Sequence, residues 1–242
     1  MTLRVLIALA ALAALTLTGI DAAKDEKPEK ESPIVATVNG EPVTKAEWAV
    51  IWKADQWHAP TLKNEAGFGD KMRGKPYEDF FFKEEVVKIR AMAQKYKDAL
   101  PQMKATIDDL HAKVKAGADM DALAKEHSQD AGTAAHGGML DGPKELHQLV
   151  FPFNRIALSM KAGELSEPFM TIFGYHFLRV EKVFPPVPTE AKGKAVEVRH
   201  ILIRFPSENP LAESETLASQ AKVEILDKGL CKKLVSYCPA EG

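Results

Sequence analysis

The amino-acid sequence predicts an exported α+β protein, in which helices and an antiparallel sheet occupy separate stretches of the chain. Three observations predict this class. A strand and a tight turn lead into a helix at 34–48, two helix patterns follow at 106–117 and 120–128, and strand patterns lie at 169–183 and 196–204. Helices and strands that are grouped in this way favour α+β over a parallel α/β fold.

The first 23 residues predict a secretory signal peptide. Arg4 precedes an apolar run from Val5 to Leu17, which is shorter than the ~20 residues of a membrane-spanning helix. The alternative is an N-terminal anchor helix. Ile20 stands where a lipidated cysteine would be required, so we expect no lipid anchor there. The prediction is export to the periplasm or cell envelope.

The composition excludes several classes of function. The chain has 242 residues, a net charge of −2 and 27% charged residues, so no basic surface favours nucleic acid. Its histidines do not form an HExxH motif, and the sequence has no Gly-rich phosphate loop and no nucleophile elbow. We therefore expect no metal, no small-molecule cofactor and no nucleic-acid partner. Nothing in the sequence predicts an oligomeric state.

The N-terminal elements have clear local signals. Residues 24–33 are charged and contain proline, which predicts a disordered linker. Within the segment 34–83, Asn39-Gly40 predicts a hairpin turn, and Thr44 with Glu47 predicts a capping box that starts a helix. Residues 56–76, rich in Gly, Pro and charge, predict a loop.

The next stretch, 78–100, fits a helix, although VVKIRAM within it also fits a strand. Pro101 is expected to break the chain. Thr106 is predicted to cap a helix that Gly117 ends.

After a second short helix at 120–128 comes a Gly-rich loop. Residues 147–160 are apolar and helical in pattern except at Pro152, 162–168 predict a turn, 169–183 a strand pair, and 185–195 a linker.

The C-terminal part repeats the earlier order of elements. A strand at 196–204 is followed by a predicted helix at 212–229, which resembles the order from 86 onward and predicts two tandem copies of one module. Cys231 and Cys238 lie about 10.5 Å apart if one helix runs through both, too far for a disulfide. If the helix ends between them, they can bond.

Four stretches carry a family resemblance. DALAKEHSQDAGTAAHGG with AGELSEPFMTIFGYHFLRVEKV resembles the parvulin type of peptidyl-prolyl cis-trans isomerase, and VRHILIRFP resembles the first strand of another parvulin module. IVATVNGEPVTKAEW is similar to the N-terminal segment of exported SurA-like and PrsA-like foldases. The resemblance implies a parvulin-like four-stranded antiparallel sheet at 84–184 and a partial second module at 196–242.

The resemblance also implies site residues. The strand histidine falls on His176, the Cys or Asp after the second helix on Asp130, and the threonine of the strand turn on Thr171. The apolar groups that hold the substrate proline fall on Leu149 and Phe153, with Met139 or Leu140 nearby. Each has a plain structural alternative: a sheet histidine, a turn carboxylate or ordinary core.

The sequence departs from the family pattern. The first-strand histidine falls on Ala91, and the GGMLDG loop displaces the usual aspartate. The partial second module keeps candidates at His200 and Cys238 but stops before its own proline pocket. A structural hypothesis accounts for the residues that each module lacks. Strand 196–204 pairs in the first module's sheet and places His200 opposite His176.

The resemblance implies prolyl cis-trans isomerisation that assists the folding of exported proteins. The implied partners are unfolded or nascent exported polypeptides that contain X-Pro bonds. The alternative is a non-catalytic periplasmic chaperone or peptide-binding module, which Ala91 and the GGMLDG loop favour.

Overall fold

A computed structural model of the protein describes residues 33–49, 51, 77–145, 148–185 and 194–238. The predicted signal peptide, the loop at 56–76, most of the linker at 185–195 and all of the charged linker except Pro33 lie outside the described residues. The described residues belong to one compact unit.

The strands and helices follow in this order: β1 (Ile34–Val38), β2 (Glu41–Thr44), α1 (Tyr77–Phe81), a π-helical turn (Phe82–Val87), α2 (Lys88–Lys95), α3 (Leu100–Lys115), α4 (Met120–His127), a 3₁₀ turn (Ala134–His136), α5 (Phe153–Ser159), β3 (Phe169–Thr171), β4 (Gly174–Phe184), β5 (Ala195–Arg204), α6 (Pro210–Gln220), β6 (Val223–Ile225) and α7 (Lys228–Cys231).

The strands form two antiparallel sheets with the orders β2-β1-β6 and β3-β4-β5. The second sheet positions the candidate site. Since it has three strands in the described part of the chain, the expected four-stranded sheet is not confirmed.

Strand β5 corrects the interpretation of 196–242 as a separate partial module. It pairs antiparallel with β4 along its length, from Phe184 opposite Ala195 to Gly174 opposite Arg204. The two strands are consecutive in the chain and pair antiparallel, so they form a long hairpin. The hypothesis that strand 196–204 joins the first module's sheet is confirmed.

The outer edge of β5 is covered by the irregular segment 128–144. Backbone bonds join Gln129 N to Leu202 O, His200 N to Gly138 O, Leu140 N to Val198 O, and Lys144 N to Val196 O, at 2.8–3.1 Å. This segment therefore lies where a fourth strand would pair.

The ambiguous stretch around residues 86–93 is helical. Helix α1, the π-helical turn and α2 follow one another without a break, so the predicted boundary at 83/84 falls inside a continuous helix. The buried Lys88 ammonium contacts Glu84 at 2.6 Å and Glu215 of α6 at 2.5 Å. Val86 and Val87 are adjacent and both buried, and a short apolar run of this kind also suits a strand.

Helix α3 begins at Leu100, six residues before the predicted cap. Pro101 lies in its first turn, where a missing N–H costs nothing. Thr106 is inside the helix, and its hydroxyl donates to Gln102 O at 2.9 Å. Gly117, with φ of +100°, follows the helix end as predicted.

The N-terminal hairpin is formed as predicted. Asn39 and Gly40 both have positive φ, and Thr44 Oγ1 accepts the Glu47 N–H at 3.2 Å. Asn39 also bonds the C-terminal part of the chain, since its Oδ1 accepts the Lys222 N–H at 2.7 Å.

The predicted helix at 212–229 is wrong in its second half. Helix α6 ends at Gln220, and β6 then pairs with β1. Helix α7 ends at Cys231, and Cys231 forms a disulfide with Cys238 across a Cα separation of 5.5 Å. Of the two alternatives for the cysteines, the helix that ends between them is therefore the observed one.

Two hydrophobic clusters form the core. One includes Phe153, Leu178 and Val198 and extends to the first sheet, whereas the other includes Phe177 and Ile201 and packs under α3 and α4. The second sheet is thus covered on both faces. No helix in the described ranges is long and apolar enough to cross a membrane.

Candidate active site

The register of the central hairpin brings two histidines to one face of the sheet. His176 pairs with Leu202, and Leu178 pairs with His200. Since side chains alternate between faces along a strand, His176 and His200 are diagonal neighbours. A slip of one residue would move one histidine to the other face.

A chain of hydrogen bonds joins four side chains in this part of the sheet. Thr171 Oγ1 lies 2.8 Å from His176 Nε2, the two Nδ1 atoms of His176 and His200 lie 3.3 Å apart, and His200 Nε2 lies 2.9 Å from Asp130 Oδ2. The threonine and both histidines are buried.

With both imidazoles neutral, one arrangement of protons satisfies every bond in this chain. A neutral imidazole has one N–H donor and one acceptor nitrogen. If Asp130 is ionised, His200 donates from Nε2, so its Nδ1 accepts the His176 Nδ1–H. His176 Nε2 then accepts the Thr171 hydroxyl, and Thr171 Oγ1 accepts the Phe173 N–H at 3.0 Å. We assign these tautomers from the network.

Burial and hydrogen bonding set the charges of His176 and Asp130. Desolvation holds the pKa of His176 well below its ordinary value, and the neighbouring His200 lowers it further. His176 is therefore neutral at pH 7. The pKa of Asp130 is also lowered, first by its hydrogen bond with His200 and then, against the opposing effect of burial, by Thr133.

Asp130 is held by the loop that follows α4. Its Oδ1 accepts the Gly132 N–H at 3.1 Å, and its Oδ2 accepts the Thr133 hydroxyl at 2.7 Å. Its side chain is 27% exposed, so the network meets solvent at this end.

Phe153 lies against both histidines. Its ring centroid is 5.5 Å from that of His176, 5.3 Å from His200 and 5.8 Å from Phe169, all nearly perpendicular. Phe169 stacks on His176 at 5.7 Å. The rings form an apolar wall beside the polar chain.

The other predicted apolar residues are half-buried. Leu140 and Leu149 pack against the same core cluster as Phe153. Met139 forms an isolated antiparallel β-bridge with Arg199 on β5. Leu149 does not share a helix with Phe153, because α5 begins at Phe153 and Pro152 precedes it.

Of the two candidates from the supposed second module, His200 and Cys238, only His200 lies at the site. His200 joins the network, and Ala91 is a buried residue of α2 rather than a strand residue. Cys238 is bonded to Cys231, so it offers no thiol. Within the described residues, no group of three metal-binding side chains is found.

Sequence reasoning missed Thr133. It contacts Asp130 and also lies 3.1 Å from His200 Nε2. An aspartate followed two residues later by glycine is typical of a turn in which the carboxylate accepts a backbone N–H, but this local signal does not predict the contact of Thr133 with His200.

Comparisons with known proteins place these residues in a family context. Residues 87–182 match the family model described as the PPIC-type PPIASE domain. The foldase protein PrsA of Geobacillus sp. strain WCH70 is 31% identical over 172 residues, which cover 70% of this chain and 59% of the relative. PrsA of Geobacillus kaustophilus is 35% identical over 151 residues, covering 59% of this chain and 49% of the relative. The chaperone SurA of Hahella chejuensis is 38% identical over 78 residues, covering 32% and 18%.

The chain spans about half the length of the PrsA relatives that it matches. A crystal structure of a peptidylprolyl isomerase (PrsA) from Bacillus cereus aligns with 79% of this chain and 84% of its own, with 15% identity and a TM-score of 0.26. His200 lies outside the matched residues 87–182.

Proposed function

We propose that this chain catalyses prolyl cis-trans isomerisation and so assists the folding of exported proteins, because residues 87–182 match the PPIC-type (parvulin) family model. The observation that carries the proposal is the buried chain Thr171–His176–His200–Asp130 beside the Phe153 ring. In this proposal His200, from beyond the matched residues, completes the site.

The proposed mechanism needs no nucleophile and no cofactor. The barrier to rotation about the peptide bond is ~18–20 kcal/mol, because the planar amide is stabilised by resonance. Catalysis requires that the twisted amide bind better than the planar one. An apolar pocket suits the twisted form, which has lost charge separation. Phe153 would hold the proline ring, with Leu149, Met139 and Leu140 around it.

The buried His176 end of the polar chain would act as a neutral, fixed floor for this pocket. A charged imidazole would hold water beside the amide, but burial keeps His176 neutral. Each histidine is fixed by bonds at both ring nitrogens. The network would therefore position the pocket walls and one end of the substrate without taking part in covalent chemistry.

The proposed substrates are unfolded or nascent exported polypeptides with X-Pro bonds. Relatives named foldase and chaperone support this class. The Cys231–Cys238 disulfide supports an oxidising compartment outside the cytoplasm. Together with the sequence pattern of residues 1–23, which lie outside the described residues, it favours the periplasm or cell envelope.

A non-catalytic binding module is the second candidate. One observation still favours it: the GGMLDG loop places its aspartate at Asp141, which is exposed. The missing histidine at Ala91 no longer favours it, because His200 occupies the place beside His176.

The test is prolyl isomerisation of a proline-containing tetrapeptide by residues 24–242, with Phe153→Ala and Phe205→Ala as a matched pair. Both rings are buried, at 3% and 1% exposure, but Phe205 belongs to the other core cluster. We expect acceleration that Phe153→Ala loses and Phe205→Ala keeps. No acceleration by the parent chain, with aggregation of an unfolded client still suppressed, would instead establish the binding module.

A further inference from the structure

We propose that Glu85 is a positioning residue, which acts through Arg155 to fix the orientation of α5 and with it the ring of Phe153. Its effect on catalysis rests on the proposed function, whereas its geometry does not. Glu85 Oε2 accepts a hydrogen bond from Arg155 Nε at 2.7 Å, and the two side chains are 1% and 15% exposed. A buried ion pair therefore joins the π-helical turn to α5.

Helix α5 needs such an anchor because it is short. It has seven residues, and its N-cap residue Pro152 provides no side-chain cap. An isolated helix of this length is unstable in water, so contacts with neighbouring elements determine its position. Phe153, Ala157 and Leu158 pack in the apolar core against β4 and β5. Such contacts are non-directional, so they hold α5 on the sheet without fixing its rotation about its own axis.

The ion pair acts on the side of α5 that faces away from the pocket ring. Arg155 follows Phe153 by two residues, which is about 200° around a helix. A rotation of ~10° about the helix axis would move a side-chain atom ~6 Å from that axis by about 1 Å. A misplacement of this size can cost on the order of 100-fold in rate. The bond to Glu85 therefore controls a rotation to which the pocket is sensitive.

Direction, rather than stability, is what this pair supplies. A buried ion pair adds little net stability compared with apolar residues of similar volume, since both charges lose their water. A hydrogen bond between charged groups does have a preferred geometry, which apolar contacts lack. The charged pair thus suits a contact that sets an orientation.

The carboxylate comes from outside the matched domain. Glu85 precedes residues 87–182 and lies in the π-helical turn Phe82–Val87, where Glu85, Val86 and Val87 are consecutive and all buried. Turns of this kind are rare and occur frequently at functional sites. The helix that precedes the matched domain thus contributes one directional contact to the pocket wall.

The experiment compares Glu85→Met, which removes the carboxylate, with Glu85→Gln, which keeps an oxygen that can accept from Arg155. Lys88→Met is the control. Lys88 lies three residues further along the same continuous helix, its side chain is 7% exposed, and it pairs with Glu84 and with Glu215 of α6. The control therefore removes a buried charge of the same helix that contacts α6 instead of α5.

Two readouts are combined. One is kcat and KM for a proline-containing tetrapeptide. The other is the ¹H shift of the His176 and His200 ring protons. The Phe153 ring stands nearly perpendicular to both imidazoles, with centroids 5.5 and 5.3 Å away, so its ring current reports its own displacement.

We expect Glu85→Met to move the histidine ring shifts toward those of Phe153→Ala and to lower kcat by about tenfold, from misplacement of the pocket ring. Glu85→Gln should keep the parent's ring shifts and lose about threefold or less in kcat. Lys88→Met should keep the parent's ring shifts and kcat.

Two results would overturn the proposal: a folded Glu85→Met with the parent's ring shifts, or the same change of shifts in Lys88→Met. If Glu85→Met does not fold, Arg155→Lys takes its place, because it keeps the charge and lacks the Nε donor, and parent shifts in that variant would be equally fatal. If the parent chain has no isomerase activity, the proposed function fails, and the ring shifts still decide whether Glu85 orients Phe153.

Discussion

The bond between His176 and His200 predicts a measurable coupling between the two strands that carry them. In His200→Ala, the buried His176 N–H loses its acceptor, at a cost of ~1–3 kcal/mol. Asp130 loses a charge-assisted bond, and we discount that loss because its side chain is 27% exposed. We expect the free energy of unfolding to fall by about 2–4 kcal/mol.

The replacement His176→Ala should cost a similar amount, because His200 Nδ1 loses its donor and the Thr171 hydroxyl hydrogen loses its acceptor. The double variant removes the shared bond only once. Its loss should therefore be smaller than the sum of the single losses by about 1–2 kcal/mol.

The assay is urea unfolding at pH 7 of the parent chain, both single variants and the double variant. A control cycle pairs His200→Ala with His111→Ala, since the buried His111 packs against Phe177 on the other face of the sheet. The control should be additive within about 0.5 kcal/mol. Additivity of the His176–His200 cycle within the same limit would refute the assigned bond.

Three further predictions concern the surroundings of the site. Replacing Cys231 and Cys238, seven residues apart in sequence, by serine should lower the free energy of unfolding by about 2.5 kcal/mol from loop entropy, and reductant should do the same to the parent chain; no change in urea midpoint would contradict this. The pKa of Asp130 is lowered in the folded state, so its contribution to the free energy of unfolding is fully present above about pH 4 and is lost as the pH falls through that lowered value. Asp130→Asn should lower the free energy of unfolding by about 2 kcal/mol at pH 7 and by less at pH 3. An equal loss at both pH values would contradict this. Gly138→Ala should cost about 2 kcal/mol or more, since φ is +79° and a Cβ would overlap His200 O; unchanged thermal unfolding would count against this close approach.

Local signals in the sequence predicted the elements whose ends are set by single residues. The Asn39-Gly40 turn and the Thr44 cap are present, and Gly117 follows the end of a helix. Each of these depends on a backbone preference or a bond within four residues. Such signals do not depend on the rest of the fold.

The elements whose prediction was ambiguous or wrong are set by partners that are distant in the sequence. The stretch 86–93 is ambiguous because a short apolar run such as the buried pair Val86 and Val87 suits a helix and a strand equally, and the strand Val223–Ile225 is too short to show a period. That strand exists because β1 supplies its hydrogen bonds, 180 residues or more earlier in the chain.

The candidate site was predicted in parts. The family pattern indicated His176, Asp130, Thr171 and Phe153, and the structure brings them together. The placement of His200 followed from the complementary losses in the two halves, not from any local signal. No local pattern could predict it, because it depends on the pairing of β4 with β5.

The measurement that tests the central claim most directly is prolyl isomerisation by residues 24–242 with and without His200. The claim is that one active site is built from strands on both sides of the linker at 185–195, so we predict acceleration by the parent chain. We predict a loss of about tenfold or more in kcat/KM for His200→Ala, because the pocket walls that it positions would be displaced, and little change for His111→Ala. Parent-level activity in His200→Ala, or no acceleration by the folded parent chain, would contradict the claim.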